Sequence, residues 1–128
     1  MDTARVFVFV DGMLWSVSGV AWYIAPRLLG KHWLGAAEAD SSSSTLDMTR
    51  GFGVALVQGA VTEVYAAVAQ DTSRGILDCL MLTRLTANIV LLCGWLVFHT
   101  STFYERFGYW GTLIALVVPV GYIAAMRV

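Results

Sequence analysis

At 128 residues, 58% hydrophobic and 13% charged, with a mean hydropathy of +0.69, the chain carries roughly half the charge of an ordinary soluble domain. A formal net charge of -1 excludes the basic surface that nucleic acid needs and the polybasic segment that anchors proteins to anionic lipid. The length fits a single domain, residues 1–128.

Four apolar runs dominate: residues 6–25, 51–69, 76–98 and 107–126. Each is close to the ~20 residues that a helix needs to cross a ~30 Å hydrocarbon layer. The fold expected is all-α: an up-and-down, antiparallel four-helix transmembrane bundle, hence an integral multi-pass membrane protein. Residues 1–5 lead straight into the first run, which reads as a span rather than a cleavable signal.

The first span closes at Ala25-Pro26, because proline disfavours helical backbone in the residue before it. Lys31, His32 and Trp33, set among leucines and glycines, predict a short helix lying at the interface. The stretch from Glu38 to Ser44 is a polar, serine-rich connector. Thr49 is placed to cap the second helix. The turn Asp71-Thr72-Ser73-Arg74 is tight, so spans two and three should be antiparallel neighbours, and the short linker after His99 implies the same for spans three and four. Pro119, inside the fourth span, should bend it.

Four spans put both ends of the chain on one side. That side carries Arg5, Arg74 and Arg127, and the other Arg27, Lys31, Arg50 and Arg106. Three against four leaves orientation open. The second side also carries most of the aromatic residues, and Arg27, Lys31 and Arg50 there are candidate contacts for phospholipid headgroups.

The sharpest chemical signal is polar residues inside the spans: Asp11, Glu63, Arg84 and Asn88. Charge in hydrocarbon is expensive and usually pairs or faces a cavity. Glu63 lies ten residues before Ser73 and Arg84 eleven after it, so both sit about 15 Å from that turn, level with each other. They are expected to pair, with Asp11 within reach of Arg84. Asn88 follows Arg84 by one turn on the same face. Asp78 is placed to pair with Arg74, four residues earlier. The pair at Glu63 and Arg84 reads as structural, with a proton or ion relay through Asp11, Glu63 and Arg84 as the alternative.

Cys79 and Cys93 are fourteen residues apart, about 21 Å along a helix, too far to bridge. His32 and His99 fall at one membrane face, which leaves haem ligation only as a minor reading. No zinc, nucleotide or hydrolase motif is present in the sequence. Ser16, Ser18, Gly12 and Gly19 in the first span, Ala55 with Gly59 in the second and Gly108 with Gly111 in the fourth are small residues that let helices approach.

The first span closing in Ala25-Pro26, the polar loop, Arg50-Gly51 opening a glycine-containing span and Arg84 in the third span resemble the small four-helix membrane proteins of the DoxX-like superfamily. The resemblance implies a compact antiparallel bundle and, as in several members, association with a larger redox or respiratory assembly. It implies no catalytic residue. The function expected is therefore that of a non-catalytic accessory subunit, bound to other membrane subunits and lipids, with a respiratory complex of the mitochondrial inner membrane as the specific expectation. Trp15, inside a span where no headgroup anchor is needed, is expected on a partner-facing surface. A small oligomeric transporter using Asp11, Glu63 and Arg84, and a cofactor binder using His32 and His99, are the alternatives.

Overall fold

A computed structural model of the chain describes residues 1–33, 43–98 and 107–127, and among these every regular element is helical. The helices are α1 (Thr3–Ile24), α2 (Pro26–Trp33), α3 (Ser43–Val68), α4 (Arg74–Phe98) and α5 (Phe107–Arg127). Four of them, all but α2, are long and apolar enough to cross a membrane. The chain is an all-α integral membrane bundle, and residues such as Val17, Val90 and Val117 face outward, as lipid as solvent permits.

The boundaries of α1 and the start of α2 have local causes. Asp2 caps α1, its carboxylate accepting the Arg5 backbone N–H at 2.9 Å. Ala25 leaves the helical region at φ -125°, ψ 56°, and Pro26 then opens α2 as its first residue, where the missing N–H costs nothing. The interfacial stretch is thus helical, starting earlier than its composition implied. α3 begins at Ser43, six residues before Thr49, so Thr49 lies inside the helix and does not cap it. The connector before it falls largely outside the described residues. α5 continues through Pro119 as one helix.

α1 is the organising helix. It packs antiparallel along α3 through glycines: a Cβ on Gly19 would lie 2.6 Å from the Gly53 carbonyl oxygen, and one on Gly12 would lie 2.9 Å from that of Ala60. Helices in lipid gain no hydrophobic drive from meeting one another, so close backbone packing of this kind supplies the attraction. α4 and α5 form a second antiparallel pair, and α5 also meets α1. α3 and α4 are adjacent, but their backbones approach closely at few points, despite the tight turn that joins them. Arg84 spans the gap to α3 with its long side chain.

The apolar core lies near the end that holds the termini. Ala4, Val8, Ala66, Ala67, Leu77, Met81 and Tyr122 are buried together, with the Phe7 and Tyr122 rings edge to face at 6.1 Å. At the opposite end the rings of Trp22 and Phe52 meet edge to face at 5.9 Å. The polar residues occupy the level between.

Candidate functional site: a buried polar triad

Arg84, from α4, is held between two acids on different helices. Its Nε donates to Asp11 Oδ2 of α1 at 2.8 Å and to Glu63 Oε1 of α3 at 3.2 Å, while Nη2 donates to the same Glu63 oxygen at 2.8 Å. Asp11 is 1% exposed and Glu63 4%. The guanidinium lies 4.8 Å from the centre of the Trp15 ring, a cation–π contact. Gly59 of α3 leaves room beside Nη2, which stands 3.9 Å from where its Cβ would be. One cation therefore ties three helices together.

Charge counting makes the site unusual. Two carboxyl groups face one guanidinium in a buried setting, where an unpaired charge is costly. Glu63 Oε2 is buried and has no hydrogen-bond partner among the described residues. Chemically the triad can lock the helices, with Arg84 as the shared donor.

Asn88 does not join this cluster. It is buried, and its amide donates to the Ala115 carbonyl of α5 at 3.4 Å. Ala115 is four residues before Pro119, and proline has no N–H to bond that carbonyl. The shared face with Arg84 was readable from spacing, but α5, not the acids, presents the acceptor that Asn88 reaches. Trp15 also departs from expectation. It is only partly exposed and covers Arg84 instead of standing on a partner-facing surface.

Two further polar devices frame the triad. Arg74 donates to Asp78 Oδ1 at 2.9 Å, Tyr122 donates to the same oxygen, and the Arg74 guanidinium lies 5.6 Å from the Tyr122 ring centre. Arg5 reaches from α1 to the C-terminal end of α3. Its guanidinium donates to the carbonyls of Ala66 at 3.4 Å, Ala67 at 3.2 Å, Gln70 at 3.3 Å and Thr72 at 2.9 Å, and also to that of Ala69. The available signal was the absence of any basic residue in the last turn of α3, whose carbonyl end favours a cation and here receives one from another helix.

At the aromatic side, Arg27 and Arg50 line one open cleft of about 450 Å³ with Ile24, Ala25, Pro26, Leu28 and Leu46. Arg50 also pairs with Asp47 at 3.1 Å. The side chains of Lys31, His32, His99 and Arg106 lie outside the described residues. Among the described residues no three His, Cys, Asp or Glu side chains group as metal ligands.

No family model matches the chain. No curated protein and no solved structure matches it.

Proposed function

We propose that this chain is a non-catalytic, membrane-embedded subunit of a larger membrane protein assembly. The observation that supports it most is the closed polar centre. Glu63 is buried and clamped to Arg84 at 2.8 Å, with Asp11 on the same guanidinium, so the intramembrane charges are spent on joining helices. Residues 1–128 are mostly span, and a subunit of this kind acts through what its spans touch within the bilayer. The assembly proposed is respiratory, on the resemblance to DoxX-like bundles, and the membrane proposed is the mitochondrial inner one. Arg27 and Arg50, lining one cleft, are proposed to take a phospholipid headgroup.

One observation favours a second reading, a small oligomeric proton or cation transporter. It is that Glu63 Oε2 has no hydrogen-bond partner among the described residues, although it belongs to one of two acids on a single guanidinium. Extraction in mild detergent, native gel separation and mass spectrometry of the band separate the two. Migration with several other subunits is the result expected. Migration alone, or only with copies of itself, overturns the subunit reading; proton uptake into vesicles that is lost in Glu63→Gln would then establish transport.

A further inference from the structure

The outward face of α3 differs in chemistry from those of α1 and α5. On α1 the exposed residues include Val6, Val10, Met13, Leu14, Val17 and Val20, and on α5 they include Ile114, Val117 and Val120, the aliphatic surface expected against lipid. On α3, Val54, Val61 and Val68 are exposed likewise, but beside them Gly51, Ala55, Gln58 and Thr62 are exposed at steps of four, three and four, a repeat that the exposed Met48 and Tyr65 continue at its two ends. That is the 3.5-residue repeat by which two helices stay in register, and small residues let their backbones close up.

A run of small residues alone selects nothing. Gln58 adds the second observation. The span runs from Leu46 to Val68, so Gln58 sits one residue from its middle, about 15 Å or more from either end. Its side chain is too short to reach the headgroups from there. The Thr62 hydroxyl is satisfied within its own helix, donating to the Gln58 carbonyl at 3.1 Å, as Thr86 on α4 does to Leu82 at 2.8 Å. The Gln58 amide has no such bond among the described residues. An exposed amide in hydrocarbon needs a partner with both a donor and an acceptor.

We infer that this α3 face is a dimer interface, occupied by α3 of a second copy of this chain. An amide is its own complement. Across a twofold axis along the membrane normal, Gln58 of each copy donates N–H to the other's side-chain carbonyl, and both are satisfied by one contact. Gly51 and Ala55 on one side of that contact allow the approach, and Thr62 with Tyr65 lines the seam on the other. The inference does not depend on the assembly proposed above: a dimer can stand alone or within a larger complex.

Site-directed cross-linking in native membranes tests it. With Cys79 and Cys93 replaced by alanine, Ala55→Cys is expected to give an adduct of twice the chain mass, and Ile114→Cys on the α5 face none. Adding Gln58→Leu to Ala55→Cys should cut the adduct about three- to tenfold, the usual worth of one interhelical hydrogen bond in a membrane. That substitution makes an exposed position more apolar, so the amount of folded protein should hold. No adduct from Ala55→Cys overturns the inference, as does one indifferent to Gln58→Leu. An adduct with a chain of another mass also overturns it and assigns the face to a different subunit.

Discussion

The Asn88 amide bonds the Ala115 carbonyl, the α5 acceptor that Pro119 leaves without its helical donor. A proline in one helix is thus compensated by an amide from the next. Asn88→Leu should destabilise the bundle by about 1–2 kcal/mol, the cost of an unmet buried polar group. In a Pro119→Ala background, where the helix supplies its own N–H, the same change should cost much less. A double-mutant cycle of thermal unfolding in detergent measures the difference, and equal costs in both backgrounds would remove the link.

Arg84 is the charge that two acids share. Arg84→Leu should cost about 3–5 kcal/mol, because it strands Asp11 and Glu63 together. The neutral triple variant Asp11→Asn, Glu63→Gln, Arg84→Met should recover most of that loss, since no charge is left to compensate. Size-exclusion profiles and melting temperatures of the two variants decide the matter. A triple variant no more stable than Arg84→Leu would mean that shape, not charge, makes the site.

The glycines divide sharply by their surroundings. Gly19→Ala and Gly53→Ala each place a Cβ 2.6 Å from the other's carbonyl oxygen and should cost about 1–3 kcal/mol through overpacking. Gly94→Ala meets nothing within 4 Å among the described residues and should be neutral or stabilising by up to ~1 kcal/mol, from helix propensity. Melting temperatures of the three single variants check the contrast.

Arg5 closes the end of α3 from outside it. Arg5→Ala should lower stability by about 1–3 kcal/mol, with Arg5→Lys intermediate because a single ammonium cannot serve so many carbonyls at once. Hydrogen exchange should show the gain in mobility confined to residues 66–72, where the acceptors lie.

The spans and the meeting of Glu63 with Arg84 were legible because both follow from one number, the helical rise, counted from a tight turn. The dominance of α1 against α3 was not legible in the same way. No short connection joins them, and Gly12, Gly19 and Gly53 look like the small residues found in any membrane helix until a partner backbone stands 2.6 Å away. Trp15 and Asn88 were misplaced for a related reason. Spacing gives the level and face of a residue on its own helix, but not which neighbour stands opposite. Arg5 was readable as a charge near the membrane surface, and its acceptors lie more than sixty residues ahead in the chain.

The triad also fixes an order of events in biosynthesis. Glu63 precedes Arg84 by 21 residues and Asp11 precedes it by 73, so the ribosome delivers both acids before the cation that neutralises them. An aspartate at the centre of a span disfavours insertion by roughly 2.5–3.5 kcal/mol, and Asp11 lies near the middle of its own. A nascent chain arrested before Arg84 emerges should therefore seat its first two spans less stably than the full chain does, and be a preferred target of membrane quality control.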